Sequence, residues 1–253
     1  LTGIPALAQN LATQHASGDL LVMPTVWDAF SAKLAVSAGF KSLTVGSHPV
    51  ADSLGSKDGE NMDFADYLGA VQRITGSVDV PVSADVESGY GLDPKELFER
   101  VVEAGAVGVN IEDVLHREGG RVRERQEHAD YINAVRQAAD GAGIDFVING
   151  RTDAVKLVDQ FSDPLGEAIE RMKLMEQAGA RSVYPVALSS ADQVAKAVQA
   201  VGIPVNVTAH PVKAHAAGDL AALRELGVRR VSFGPLWQMW LAEVSGQQLQ
   251  SWL

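Results

Sequence analysis

The sequence predicts a (β/α)8 barrel of the TIM type, an α/β fold, on three observations. The chain has 253 residues, close to the usual length of one such barrel. Apolar, β-prone stretches alternate with helical stretches eight times along it. The interiors of those stretches are near-continuous apolar runs, as in Phe146-Val147-Ile148, which parallel strands buried on both faces require. A doubly wound open sheet is the alternative. No linker, low-complexity tract or second unit interrupts the pattern, so residues 1–253 read as one barrel domain.

The strands are expected near residues 20–24, 42–46, 81–86, 107–111, 145–149, 182–186, 204–208 and 230–234. Gly39, Gly105, Gly179, Gly202 and Gly227 stand between a helical stretch and the next strand. There, glycine closes a helix in the left-handed conformation without strain. Helix starts are marked by Asp93-Pro94-Lys95-Glu96 and Ser190-Ala191-Asp192-Gln193, each with a capping oxygen ahead of the first turn. The last helix carries Leu236, Trp237, Met239, Trp240, Leu241 and Val244, with Trp252-Leu253 beyond it. A chain end this apolar calls for cover, because large exposed apolar patches are rare in monomers. A homo-oligomer, dimer or tetramer, is expected.

Composition narrows the function. The net charge of −11 argues against binding a phosphate backbone, so no nucleic-acid partner is expected. There is no cysteine, which removes disulfides, thiolate metal sites and a thiol nucleophile. No apolar run approaches the roughly 20 residues that span a bilayer. A cytoplasmic enzyme acting on a small molecule, with no membrane partner, is the expectation.

In barrels of this kind the site lies at the C-terminal strand ends. Ser47, His48, Asp85, Glu87, Glu112, Asp113, Arg151, Asp153, Asn206 and Gly234 all fall there. Asp85 and Glu87 are two apart, and alternation on a strand would put both on one side. With a third carboxylate from Glu112 or Asp113 they make a site for a hard divalent cation, which prefers oxygen ligands. Arg151 offers a two-pronged anion ligand beside them, and Asp153 shares its strand face. Gly89-Tyr90-Gly91 lacks the spacing of a dinucleotide loop and reads as a tight turn next to the acids.

At these residues the chain resembles the isocitrate lyase / phosphoenolpyruvate mutase superfamily. Pro24 to Ala32 looks like its first strand and helix start, and Gly46-Ser47, Leu54-Gly55 and Asp58 like its second strand and following loop. Asp85-Val86-Glu87-Ser88-Gly89-Tyr90-Gly91 is similar to D-x-D-x-G-Y-G, with Glu for the second Asp. Asn110-Ile111-Glu112-Asp113 is similar to N-I-E-D, and Gly150-Arg151-Thr152-Asp153-Ala154 to A-R-T-D-A. The resemblance implies Mg²⁺, or Mn²⁺, held largely through waters by Asp85, Glu87 and Glu112, with Asp58 outside them. It implies that Arg151 and the backbone around Ser47 and His48 bind the substrate's carboxylate or phosphonate. It also implies a C-terminal helix swapped between subunits and a tetramer built of two dimers. Asp85 and Asn206 complete the expected substrate contacts.

The lyase members carry K-K/R-C-G-H after the fourth strand. Here that loop, Val114 to Arg123, has no cysteine, which argues against isocitrate or methylisocitrate lyase activity. The Lys-containing, Asn-rich loop of the phosphonate mutases is absent too. Proton transfer then falls to His116, Glu118, a tyrosine or a metal-bound water, with Gly119 and Gly120 giving the loop freedom to close. The expected function is Mg²⁺-dependent C–C cleavage (decarboxylase, hydrolase or lyase) of a small 2-oxo or dicarboxylic acid through an enolate. Phosphonate or carboxyphosphonate mutase chemistry and silent 2-oxo-acid binding are the alternatives.

Overall fold

The computed structural model describes residues 3–253. Helix α1 (Ile4–Ala16) precedes the barrel and packs Leu11 near Gly108 at its lower end. The first strand comes in two pieces, β1 (Leu21–Met23) and β2 (Thr25–Val26). Proline has no N–H to give a neighbour, and the break falls at Pro24. β1 pairs with the last strand and β2 with the second, and the Pro24 carbonyl still accepts from Thr44 N at 3.0 Å. The sequence expected one unbroken strand ending at residue 24.

The ring continues through α2 (Ala29–Ser37), β3 (Leu43–Val45), α3 (Ser47–Ser53), α4 (Phe64–Thr75), β4 (Val82–Asp85), α5 (Pro94–Glu103) and β5 (Gly108–Ile111). After β5 comes a small antiparallel flap, β6 (Val114–Leu115) and β7 (Arg121–Val122), joined by a 3-10 turn over His116–Glu118. Then follow α6 (Arg125–Gly141), β8 (Val147–Thr152), α7 (Pro164–Gln177), β9 (Ser182–Pro185) and α8 (Ala191–Ala200). The last turn of the ring is β10 (Asn206–Thr208), α9 (Leu220–Glu225), β11 (Arg230–Ser232) and α10 (Leu236–Gln250).

Strands β2-β3-β4-β5-β8-β9 form one parallel run and β1-β11-β10 another. A parallel bridge from Val183 to Val205 joins β9 to the approach of β10. The two pieces of the first strand close the other seam, so eight strands encircle the barrel and the open sheet is excluded. β8 runs three residues beyond the expected end, because Gly150, Arg151 and Thr152 keep pairing with Val183, Tyr184 and Pro185. Arg151 therefore sits on a strand, which fixes its backbone.

The glycine stops fall where expected at Gly39, Gly105, Gly179 and Gly227, with φ of 101°, 88°, 96° and 85°. Gly202 differs. Val201 leaves α8 extended at φ −135°, and Gly202 N donates to Glu176 Oε1 at 2.9 Å. Asp93 and Ser190 cap α5 and α8 as expected. Among the described residues no helix is long and apolar enough to cross a membrane.

Two histidines are folded away neutral. Burial, helped by Arg230, pushes His15 down from 6.5 to about 3. Burial, helped by Arg123 and Arg171, does the same to His128. Above pH 6.5 neither state binds these protons and they contribute nothing. Below it the unfolded chain takes up protons that the folded chain refuses, so stability falls from about pH 6.5 down to about 3. Buried acids can shift stability the other way, so the test is a comparison: between pH 7 and pH 4, urea titrations should show His128→Gln losing less stability than wild type by an amount on the order of a few kcal/mol. The same pH dependence in both proteins would refute it.

Candidate active site

The C-terminal strand ends enclose a cavity of about 250 Å³. That is at the small end of ligand cavities, which run from about 300 to 1,000 Å³, and suits a compound of a few carbon atoms. Asp85, Asn110, Arg151 and Tyr184 form its floor and wall, and Ser47, His48 and Asp58 its rim.

Arg151 organises the charge. Its Nε and Nη2 donate to the two carboxylate oxygens of Asp153, at 2.8 and 3.0 Å. Its Nη1 lies 2.6 Å from Glu112 Oε2 and 3.9 Å from Asp85 Oδ2. Burial disfavours the charge of the guanidinium, but Glu112 and Asp153 outweigh it and hold it charged more firmly than usual. The Tyr184 ring lies 5.8 Å from it, and Tyr184 OH is hydrogen-bonded to Thr208 Oγ1. Asp153 thus holds the guanidinium of Arg151 by both of its carboxylate oxygens.

The carboxylates are brought together, but not by strand alternation. β4 ends at Asp85, and Glu87 follows in a turn with φ 49°, a conformation rare outside glycine. There Glu87 Oε2 accepts from Glu60 N at 2.7 Å and Oε1 from Tyr90 OH at 3.0 Å. Glu112, rather than Asp113, joins the cluster. Asp113 is fully buried facing the other way, accepting from Asp153 N at 3.0 Å and pairing with Arg171 at 3.2 Å.

Asp85 is the under-compensated member. Its Oδ1 takes one backbone bond, from Glu87 N at 3.3 Å. Burial raises its pKa to about 7 against the pull of Arg151, and Glu112 and Asp58 add to the rise. Glu87 is raised to about 8 by burial and then by Asp58, Asp85 and Glu112. This excess of buried negative charge fits a hard divalent cation. Among the described residues, though, no three acids or histidines converge closely enough to ligate one directly. Glu87 and Glu112 already have hydrogen-bond partners, so the fit is a cation on Asp85 with waters reaching Glu87 and Glu112.

The flap lies against this cluster. His116 Nε2 is 2.5 Å from Glu112 Oε1 and 3.7 Å from Glu87 Oε2, and the bond to Glu112 raises its pKa. Arg117 sits over the Tyr90 ring at 5.3 Å. Gly119 and Gly120 have φ of 69° and 79°, so the ordered turn itself requires them.

Several expected residues fall elsewhere. Glu118 is exposed and held at the surface by Arg121 at 2.8 Å, away from the cavity; the 3-10 turn directs it outward. Asn206 is buried one step below the rim and reaches the cavity only through Ser232, to which it donates at 3.1 Å. His48 borders the cavity but is half exposed, lying 3.4 Å from Asp58 and 3.6 Å from Asp52. Sequence reasoning passed over Glu60, which is buried and accepts from Ser88 N at 3.1 Å and Tyr90 N at 2.8 Å. It ties the loop after α3 to the acidic turn. Its only signal was an acid beside a glycine in a polar loop.

The sequence model of phosphoenolpyruvate phosphomutase matches residues 11–251. The chain belongs to this family. Across the family, it is 30% identical over 193 residues to 2-methylisocitrate lyase of Escherichia coli, covering 72% of this chain and 63% of that one. The chain thus spans under two thirds of that relative's length. It is 27% identical over 215 residues to oxaloacetate decarboxylase of a Bradyrhizobium strain, covering 82% and 73%. Among solved structures, a Burkholderia cenocepacia protein provisionally described as a phosphonomutase superposes with TM-score 0.86 at 33% identity, covering 96% of this chain and 99% of that one. Oxaloacetate acetylhydrolase with bound oxalate superposes with TM-score 0.84 at 25% identity, covering 96% and 85%.

Proposed function

We propose that this protein is a Mg²⁺-dependent enzyme that cleaves a C–C bond in a small 2-oxo or dicarboxylic acid through an enolate-type intermediate. One observation carries the reading: in a cavity of about 250 Å³, the Arg151 guanidinium stands 3.9 Å from the under-compensated Asp85 carboxylate. That pairing offers an anion ligand and a cation ligand to the two ends of one 2-oxo-carboxylate. Relatives named for oxaloacetate decarboxylation and acetylhydrolysis support it.

Arg151 would hold the substrate carboxylate, with Ser47 and His48 at the rim. When bound, Mg²⁺ on Asp85, Glu87 and Glu112 would stabilise the charge that develops on the 2-oxo oxygen. Asp58 would act from outside that set. Losing CO₂ from an oxaloacetate-like substrate leaves its bonding electrons on the enolate, which then needs one proton at carbon. The Glu112–His116 pair holds a proton at the edge of the cluster, and the flap excludes bulk water. This scheme needs no cysteine.

The test is pyruvate release from oxaloacetate with Mg²⁺, run beside a panel of 2-oxo acids, malate-type esters and phosphonates. Turnover of a phosphonate instead would favour mutase chemistry, which the family's name and the Burkholderia structure support. Binding without turnover of any member would leave a silent binder. His116→Ala should lower kcat by ~10²-fold and leave oxalate affinity within about twofold. Unchanged turnover would remove His116 from proton transfer.

The same proposal includes a homo-oligomer in which α10 is lent to a neighbouring subunit. Helix α10 buries only Trp237, on Trp27 at 5.2 Å, while Met239, Leu249 and Trp252 stand 56%, 70% and 84% exposed. An apolar groove of about 420 Å³ lies open on the β1–β11 wall, beside Val22, Val231, Phe40 and Leu223. That is where a helix following β11 would cover its own barrel. Light scattering at micromolar concentration should show a dimer or tetramer; a monomer would defeat this part.

A further inference from the structure

The barrel interior beneath the cavity is polar where barrels of this class carry mostly branched apolar side chains. Arg230, on β11, is 1% exposed, and no carboxylate pairs with it among the described residues. Its side-chain partners are Asn110 Oδ1, 3.5 Å from both Nη1 and Nη2, and Ser182 Oγ at 3.4 Å. Its Nε has none. Asn149 Nδ2 donates to the same Asn110 oxygen at 2.9 Å, and Ser182 Oγ donates to Asn149 Oδ1 at 2.7 Å.

A guanidinium has five donors and no acceptor. The end of the Asn110 amide that faces Arg230 must therefore be its oxygen. Asn149 agrees, since its own oxygen is taken by Ser182 and only its NH₂ is left for Asn110. The orientation of Asn110 is thus fixed from below by Arg230, directly and again through Ser182 and Asn149, whose donor senses Arg230 also sets, and its NH₂ is left for the cavity, which Asn110 lines. Asn110 stands level with Asp85 in the strand register and beside Arg151 at the same cavity.

We infer that Asn110 is a substrate-binding residue, its Nδ2 donating to an anionic oxygen of the ligand, and that Arg230 is the positioning residue that holds it in that sense. A neutral donor at this place adds a hydrogen bond to an anion without adding charge to a crowded carboxylate cluster. The inference rests on the anion-binding reading above, but not on which reaction follows.

The test is calorimetry with Mg²⁺ and two probes, oxalate and methylphosphonate, on wild type and four variants, with thermal melts to establish folding. Asn110→Ala should weaken the probe that wild type binds by about tenfold, the loss of one charge-assisted hydrogen bond. Asn110→Asp should weaken it by more than ~10²-fold, because a carboxylate oxygen then faces the anion. Arg230→Met should cost about fivefold, from a freed amide. Arg230→Lys should recover most of that, since an ammonium also only donates. A merely structural Asn110 would lower Tm and leave Kd alone. If wild type binds neither probe, the anion-binding reading and this inference fall together. If it binds one and Asn110→Ala binds it within twofold, this inference alone falls. If Arg230→Met binds as wild type, the positioning role falls; should that variant not fold, tenfold weaker binding by a folded Arg230→Lys than by wild type would overturn the donor argument.

Discussion

Arg151→Ala should abolish oxalate binding and lower turnover of any 2-oxo acid by ~10³-fold or more. Among the described residues, this side chain is the one cation that reaches Asp85, Glu112 and Asp153 together. Its loss removes the proposed carboxylate ligand and strands three acids that are buried or nearly so. Breaking a buried pair from one side costs about 3–5 kcal/mol of stability, so the melting temperature should fall as well. Arg151→Lys separates the two effects. It restores a charge near Glu112, and with it much of the Tm, but it lacks the fork that engages both oxygens of Asp153. Binding should stay impaired in a folded protein. An Arg151→Lys enzyme with wild-type oxalate affinity would mean that charge alone, without the fork, holds the ligand. An Arg151→Ala enzyme that still binds oxalate within threefold would remove the arginine from the site.

The second large effect has opposite signs in two measurements. Asp85→Asn should raise the Tm of the metal-free protein and weaken Mg²⁺ binding by ~10²-fold. Burial together with Glu112 and Asp58 has raised the Asp85 pKa to about 7, despite Arg151. At pH 8 the folded state must therefore hold a charge that its surroundings disfavour, and the unfolded chain does not share that penalty. An amide of the same shape removes it. The same substitution takes away the acid whose oxygens are most nearly free for a cation. Calorimetry with Mg²⁺ and melts in chelator check both halves at pH 8. A destabilised Asp85→Asn would show that Asp85 serves the fold, and Mg²⁺ affinity equal to wild type would move the metal elsewhere.

Much of the fold was legible because burial on both faces writes a strong local signal. The strands announce themselves as short β-prone stretches with apolar cores, although β10 and β11 carry polar residues such as Asn206 and Arg230. Most helix ends announce themselves as glycines whose φ only glycine tolerates. The misses have physical causes. Pro24 breaks the first strand because it lacks an N–H, yet a parallel neighbour still uses its carbonyl. Gly202 is no left-handed cap because Glu176, distant in sequence, accepts its N–H. At the site, Asp85, Glu112 and Arg151 were legible as polar residues ending apolar strands. Glu87 lies in the acidic cluster, but a left-handed turn rather than strand alternation carries it there. Glu60 and the Arg230–Asn110 contact were not legible, because each depends on partners distant in sequence that only the folded barrel brings together. Glu118 shows the converse: a charged loop residue in a plausible place is turned outward by three residues of 3-10 helix.

The divided first strand also bears on how the chain folds. β1 finds its partner in β11, and Phe233 N donates to Thr25 Oγ1 across 208 residues of sequence. Contacts this distant along the chain close only after most of its conformational freedom has been lost, and they slow folding accordingly. The six consecutive parallel strands from β2 to β9 can zip together through neighbours, but the β1–β11 seam cannot. The ring should therefore close last at Pro24, and until it does the β1 and β11 edges stand unpaired, the part of this chain most exposed to misassociation during synthesis.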